Sequence, residues 1–427
     1  MKMKLFKNVF LISVFSVFAS ISAFAEFSAF DFQGDLLSKP KRYFEIGVDA
    51  DAAAANNLFG LKDVLTKDVV IDLTQISKDM ADSGFTLAFF NKEKAYVNLN
   101  LSSRFGFSIF TAVEASSTLN ISKDLFEILG EGFSSGDSKS VDLTGCSDVF
   151  TDVGFSFQTI VKGCGVKITP TYFIPLVYVP KTTATAKLTT STSGAVRADA
   201  EANVDIYTAI NMHDFMEDSK SFDSLDFSIS DLLSNGGLDL SLELEKNWFH
   251  NFNAGLYTRI PIVGGTLNYK MHTRYWAYAY ETNPLGFLDD TEDHDYDNGH
   301  DDFTYSEESY KVHRPFKLGL NATYKPFGNW FKIMPALGFA LRNPYTSGDR
   351  IFYMEYALDL RLSLLKQIFN FNLGTAYQNQ IFQQRFGFSL NLRVLEIMAQ
   401  ASMCGTTLLT SFDRNGYGAF VGLRIGF

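Results

Sequence analysis

The densest group of metal-ligating side chains in the sequence lies between Glu281 and Glu308, which holds eleven acidic residues and no Lys or Arg. Asp293, Asp295 and Asp297 alternate in it like the first ligands of an EF-hand loop, and carboxylate oxygens suit Ca²⁺. However, an EF-hand needs its glycine one place before Gly299 and a Glu where Thr304 stands. The three aspartates are therefore candidate calcium ligands, and a solvated, self-repelling surface loop is the alternative interpretation.

Two sequence patterns of known enzyme sites are absent from the sequence. None of the six His residues is followed two places later by Ser, as the barrel phospholipases require. His-Glu-x-x-His also does not occur. We therefore expect no catalytic site, no enzyme activity and no cofactor.

Charged residues also occur on segments in which apolar and polar residues alternate. In a barrel, the polar face of such a segment lines the lumen. The charges could pair across strands and fix their register, or create a field that selects solutes. The charges predicted to face the lumen are Arg259, Lys270, Arg274, Lys317, Glu355, Asp359, Arg361, Arg385, Arg393 and Arg424.

The elements that would position these charges are strands. Alternation with period two runs through Phe352–Leu364, Phe386–Val394 and Tyr417–Phe427, among about 18 such segments. Many have the ~9–11 residues that a tilted strand needs to cross a bilayer. Backbone groups in lipid must be paired, so the strands should close on themselves. We predict an all-β fold, a closed antiparallel transmembrane β-barrel of 14 strands, with 16 as the alternative.

The N-terminal end of the chain predicts export. Residues 1–25 have a lysine-rich start, an apolar stretch and the small-x-small site Ala23-Phe24-Ala25, which predict a signal peptide cleaved after Ala25. The signal peptide holds three lysines and no acidic residue, so the net charge of the mature chain is (37 − 3) − 48 = −14. A negative charge of this size disfavours nucleic acid as a partner. The remaining residues, 26–427, are predicted to form one barrel domain.

Three stretches interrupt the strand pattern. Residues 57–80 have helix-like apolar spacing and are predicted to form a hatch or plug, with an external loop helix as the alternative. Residues 122–132 predict a short helix capped by Ser122, and residues 228–233 predict another short helix.

Residues 281–310 are predicted to be a long acidic outer loop. For the cysteines, a Cys146–Cys164 disulfide and three free thiols both remain open.

Several stretches resemble a known group of proteins. Tyr43-Phe-Glu-Ile-Gly-Val-Asp-Ala50, the following Ala52-Ala-Ala-Ala-Asn-Asn-Leu58 and Ile121-Ser-Lys-Asp-Leu-Phe-Glu-Ile-Leu-Gly130 are similar to segments of uncharacterised bacterial outer-membrane barrels. Those barrels resemble in architecture the long-chain fatty-acid transporters, which have 14 strands and an N-terminal hatch. The transporters carry Asn-Pro-Ala near the N-terminus, where this chain has Asn56-Asn57-Leu58 without the proline.

The length of the chain, the possible N-terminal hatch and the charges predicted to face the lumen favour passive transport of small or hydrophobic solutes across the outer membrane. The alternative function is a closed barrel that displays a surface-interaction or cation-binding loop. A last strand that ends on an aromatic residue, here Phe427, resembles the strand that the barrel-assembly machinery reads in outer-membrane barrels. The expected partners are therefore outer-membrane lipid, that machinery and a small solute whose identity the sequence leaves open.

Overall fold

The computed structural model describes residues 36–37, 42–60, 72–102, 105–132, 134–192, 195–212, 229–281, 295–341 and 352–427. The predicted signal peptide lies outside these residues. Within them, no helix is both long enough and apolar enough to cross a membrane.

The described residues form mainly strands. The strands are β1 Phe44–Asn56, β2 Phe85–Asn100, β3 Phe105–Ile121, β4 Ser138–Val161, β5 Cys164–Thr190, β6 Val196–Thr208, β7 Gly237–Phe249, β8 Phe252–Val263, β9 Gly265–Leu267, β10 Tyr269–Glu281, β11 Asp295–His300, β12 Thr304–Ser306, β13 Tyr310–Val312, β14 Phe316–Tyr324, β15 Phe331–Leu341, β16 Phe352–Leu364, β17 Phe369–Gln378, β18 Ile381–Asn391, β19 Leu395–Gly405 and β20 Gly416–Gly426. The α-helices among the same residues are α1 Leu73–Asp79, α2 Lys123–Glu131, α3 Ile229–Ser234 and α4 Leu408–Phe412. Short 3₁₀ turns occupy Gly328–Trp330 and Leu365–Gln367.

Fourteen of the strands form a closed antiparallel barrel in the order β1-β2-β3-β4-β5-β7-β8-β14-β15-β16-β17-β18-β19-β20. The barrel closes because β1 also pairs with β20, from Glu45 opposite Gly426 to Ala55 opposite Gly416. The predicted fold class and the predicted count of 14 strands are confirmed. We call the end that holds Phe44, Gly426 and the short turns the terminal end, and the opposite end the loop end.

The outer surface of the barrel is apolar. On β20, Tyr417, Val421, Leu423 and Ile425 are 42–56% exposed, whereas Phe420 between them is 3% exposed. This alternation puts apolar side chains outside and the remaining side chains inside, as in barrels that face lipid. At the terminal end, Trp248, Phe249, Phe327 and Trp330 are exposed on the turns between strands, where an aromatic girdle would lie.

Strand β5 leaves the barrel partway along its length. Its first part, Cys164–Phe173, pairs with β7, whereas Val177–Thr190 pairs with β6. Strand β6 pairs in turn with β10, and β10 with β11 and β12. We call the sheet formed by β6, β10, β11, β12 and the second part of β5 the extension; it stands beyond the loop end of the barrel.

Two of the predicted helices form at the loop end. Helix α2 begins after Ser122, as predicted, but the Ser122 side chain does not cap it and instead accepts from the backbone N–H of Asp142 at 3.0 Å. Helix α2 packs against α1, where Thr74 Oγ1 donates to the carbonyl of Gly130 at 2.6 Å. Helix α1 is capped by Asp72, whose side chain accepts from the backbone N–H of Gln75. The helix predicted over 228–233 corresponds to α3. Residues 61–71 of the predicted hatch lie outside the described residues, so that interpretation stays a prediction.

Candidate functional site in the barrel lumen

The chain enters the barrel between the extension and β14. We call residues 307–315 the strap. Its middle part, β13, pairs with β9, from Tyr310 opposite Leu267 to Val312 opposite Gly265. Tyr310 stacks on Tyr207 at a centroid distance of 4.2 Å and on Tyr178 at 5.4 Å. These contacts hold the middle of the strap in an aromatic and apolar cluster, to which Val312 also belongs.

Arg314, at the far end of the strap, lies among three carboxylates. Its Nη2 atom is 2.7 Å from Glu114 Oε2 and 2.6 Å from Asp152 Oδ1. Its Nη1 atom is 3.0 Å from Asp152 Oδ2, so that Asp152 receives a two-pronged contact. Asp239 Oδ2 lies 3.5 Å from Nη1. A planar guanidinium suits this arrangement because it offers several donors in fixed directions.

Two aromatic rings complete the surroundings of the Arg314 guanidinium. Its central carbon lies 4.7 Å from the centroid of Phe150 and 4.5 Å from that of Phe173. The rings meet edge to face. The side chains of Arg314 and the three carboxylates are at most 7% exposed. We call Glu114, Asp152, Asp239, Phe150 and Phe173 the receptacle.

The contact between Arg314 and the receptacle crosses the inside of the barrel. Arg314 stands two residues before β14, whereas Glu114 lies on β3. Along the wall these strands are five steps apart, through β8, β7, β5 and β4, which is about 24 Å at the usual strand spacing. A side chain can join them only through the lumen. The strap therefore places Arg314 inside the lumen.

A polar cavity of about 430 Å³ lies between Arg314 and the terminal end. Arg314, Glu114, Asp152 and Asp239 line it at one side, and residues near the terminal end line it at the other. Leu36 belongs to the second group: its backbone N–H donates to Glu245 Oε2 at 2.8 Å. The further charged residues of the lining are Glu45, Asp49, Lys92, Lys94, Lys167, Glu243, Glu245, Arg259 and Arg424. Both signs of charge therefore face this space.

The opposite wall, formed by β16 to β19, carries a different polar network. Arg385 Nη2 lies 2.7 Å from Asp359 Oδ2, and Arg361 donates through Nε to Asn372 Oδ1 at 2.9 Å. Asn370 links Ser363 and Ser389 by hydrogen bonds of 2.7 and 2.9 Å. The partners of Arg361 and Asn370 stand on neighbouring strands, whereas Arg385 on β18 reaches across β17 to Asp359 on β16. All of these bonds run along the wall and fix register.

Seven of the ten predicted lumen charges lie on the inner face of barrel strands: Arg259, Lys317, Glu355, Asp359, Arg361, Arg385 and Arg424. Lys270 and Arg274 do not line the lumen, because β10 belongs to the extension. They pair there with Asp205 and Glu201. Arg393 lies in the turn between β18 and β19 with φ 71°, and its carbonyl accepts from Arg42 Nε at 2.8 Å. Alternation identified the polar faces but not which sheet each strand joins.

The acidic stretch is partly a strand rather than only a loop. Asp295 stands opposite Tyr280 and Asp297 opposite Tyr278 in the pairing of β11 with β10. Asp293 lies outside the described residues. Among the residues that are described, no group of three or more His, Cys, Asp or Glu is placed to hold a metal ion.

The three cysteines, Cys146, Cys164 and Cys404, are free thiols.

The sequence pattern did not reveal the receptacle as a site. Arg314 lies outside any alternating segment, and its bidentate partner Asp152 is 162 residues away along the chain. A local signal was nevertheless present: Lys311 and Arg314 are the first basic residues after the acidic stretch, and Pro315 follows directly. A base at that position indicates a nearby acidic partner, but not which one.

The chain is similar to solved structures of outer-membrane channels. The P. putida toluene transporter TodX is 7% identical, covers 92% of this chain and 94% of its own, and has a TM-score of 0.46. The Ralstonia pickettii toluene transporter TbuX is 7% identical, with coverages of 92% and 93% and a TM-score of 0.45. A TodX deltaS2S3 mutant, described as a monoaromatic hydrocarbon channel, is 8% identical, with coverages of 95% and 96% and a TM-score of 0.46.

These similarities concern the arrangement of the strands. No family model matches the sequence. The comparison with curated proteins also found no match.

Proposed function

We propose that the protein is an integral outer-membrane barrel that allows small hydrophobic solutes to cross passively. The observation that carries the proposal is the content of the lumen. A cavity occupies the side toward the terminal end, an aromatic and apolar cluster occupies the side toward the loop end, and a short strap separates them. A barrel with a purely structural role could fill its interior with side chains. Among the described residues, the strap lies between these two spaces and would have to move for them to join.

The apolar cluster favours hydrophobic solutes over ions. Tyr178, Ile210 and Tyr310 are only half-buried and pack against a buried group that includes Phe173 and Leu267. Apolar solutes lose contact with water on reaching such a surface, which is favourable. Ions gain nothing there, and their path is obstructed by Arg314.

The location and the partners belong to the same proposal. The apolar outer surface supports contact with membrane lipid, and the predicted signal peptide, cleaved after Ala25, would direct the chain to the outer membrane. Phe427 is 76% exposed at the terminal end, and its carbonyl accepts from the N–H of Tyr43 at 2.6 Å. An exposed aromatic end supports recognition of this strand by the barrel-assembly machinery.

Uptake of the hydrophobic fluorophore N-phenyl-1-naphthylamine by cells that express the full chain tests the proposal. We expect faster uptake than in cells that carry an empty vector. A reversible lock gives the matched control: Lys311 and Thr266 stand opposite each other in β13 and β9, so K311C/T266C can join the strap to β9. Oxidation should reduce uptake to the vector level, and reductant should restore it. Wild-type uptake equal to that of the vector would refute the proposal.

The extension favours a second function, the display of a surface. Strand β5 has 27 residues, or about 90 Å at the usual rise, whereas the apolar core of a bilayer is about 30 Å thick. Much of it must therefore project outside the membrane. Labelling of K187C, a variant at an exposed position in the second part of β5, with a membrane-impermeant maleimide on intact cells should succeed. Absence of labelling would contradict display.

A further inference from the structure

Arg314 is bound as a ligand would be bound. Its guanidinium is held by carboxylates from three separate strands, β3, β4 and β7, and lies against aromatic rings from β4 and β5. None of these partners is on the strap. The receptacle is thus a feature of the barrel wall, and the strap supplies only the group that occupies it.

The chemistry of the receptacle selects a guanidinium. Carboxylate oxygens accept its in-plane N–H groups, and Asp152 does so with both oxygens, at 2.6 and 3.0 Å. Aromatic faces attract a delocalised cation, most strongly where water is excluded. A compact ammonium group would offer neither the paired donors nor the flat surface.

We propose that the receptacle is a guanidinium-binding site that the chain occupies with its own Arg314, and that this occupancy fastens the strap across the lumen. The inference deepens the proposed function, because it names the contact that keeps the passage closed. The cavity on the terminal side of the strap already reaches three carboxylates of the receptacle, Glu114, Asp152 and Asp239. A free guanidinium ion that enters the cavity therefore meets the receptacle once Arg314 is removed.

Planar-bilayer conductance of the refolded full chain tests the inference, with Arg314→Ala as the variant and guanidinium chloride as the probe. We expect the wild type to be closed and R314A to show steady openings, about tenfold or more above the wild-type current. Millimolar guanidinium should block R314A and leave the wild type unchanged. Urea, which has a similar shape but no charge, and equimolar sodium should not block.

Two further variants test the residues. Lys311→Ala removes an exposed positive charge from the same strap without touching the receptacle, and should remain closed. R314A/D152N lacks the carboxylate with the two-pronged contact, so about tenfold more guanidinium should be needed for block. R314A/D152N also buries one negative charge fewer than R314A does. It can therefore be tested even if R314A does not fold.

The outcomes separate this inference from the proposed function. R314A that stays as closed as the wild type would overturn the fastening of the strap. R314A that opens but responds equally to guanidinium and sodium would overturn the binding site. Neither result depends on uptake of the hydrophobic fluorophore by the wild type, which decides the proposed function separately.

Discussion

The two halves of the barrel wall handle their buried charges differently. From β14 to β20, strands of 9–13 residues follow one another in chain order, and each pairs with the next. The Asp359–Arg385 pair in that half joins residues 26 positions apart. From β3 to β8, strands reach 24 and 27 residues, β5 changes partner, and the buried carboxylates are neutralised by Arg314 from a distant segment.

This difference indicates which half of the barrel can open a passage through the lumen. Charge pairs such as Asp359–Arg385 join strands of the regular wall itself, so no separate segment is needed to neutralise them. Arg314 is anchored by a nine-residue strap, and its removal leaves all fourteen strands paired. A passage is therefore expected on the side of the molecule where the charge balance depends on a separate segment.

The largest expected effect comes from comparing the two arginines. R314A and Arg385→Ala each leave buried carboxylates without a guanidinium, and each should lower the free energy of unfolding by about 3–5 kcal/mol. Only R314A should raise the bilayer conductance, because Arg385 and its partner Asp359 both belong to the wall, whereas Arg314 fastens a separate segment. Urea unfolding followed by the electrophoretic shift of the folded barrel measures the first quantity in both variants.

The control for this comparison is Lys311→Ala, which should change the free energy of unfolding by less than about 0.5 kcal/mol. An R385A barrel that conducts as well as R314A would remove the distinction between the halves. Equal stability losses with unequal conductance would support it.

The regular half is also the half that could be predicted from sequence. Phe352–Leu364 and Tyr417–Phe427 alternate strictly, and their neighbours in the chain are their neighbours in the barrel, so strand type, barrel closure and inward charges such as Asp359 and Arg361 followed. Strand β10 alternates equally well, yet it joins the extension. Alternation with period two shows which face of a strand is apolar, but not which strand it pairs with. For the same reason Lys270 and Arg274 were misplaced, and the receptacle, assembled from β3, β4, β5 and β7, left no local signature.

A smaller effect is expected from filling the space beside the cavity. Gly154 lies opposite Phe110 in the β3–β4 pairing, and a Cβ at Gly154 would come 2.1 Å from the Phe110 ring. Gly154→Val should therefore displace the ring toward the cavity and cost about 1–3 kcal/mol in urea unfolding. The matched control is Gly145→Val on the same strand, where the nearest atom would be 3.6 Å away. If both variants lose the same stability, the contact with Phe110 is not the cause.

A still smaller effect concerns α2, which covers only the irregular half. Glu127 forms an ion pair with Lys139, and the hydrogen bond from Lys139 lowers the pKa of the Glu127 carboxyl from its ordinary value of 4.5. A lowered folded-state pKa means that the pair stabilises α2 above about pH 4.5 and ceases to do so as the pH falls through the lower value. The contribution should be at most about 1 kcal/mol because the pair is partly exposed.

Hydrogen exchange of α2, corrected for the intrinsic rate, measures this contribution. Glu127→Gln should exchange faster than the wild type at pH 6, and the difference should disappear in acid. A difference that persists at pH 3 would show that the amide change, rather than the charge, is responsible.

No effect at all is expected from reductant, and this result tests the long hairpin on which the comparison of the halves depends. Cys164 stands opposite Val161, whereas Cys146 lies 15 residues earlier in β4, about 50 Å away along the strand. A disulfide requires Cα atoms within about 7 Å. Peptide mapping without reduction should therefore recover both cysteines as free thiols. A Cys146–Cys164 disulfide would require a different pairing of β4 with β5, and would separate Asp152 and Phe150 from Phe173 in the receptacle.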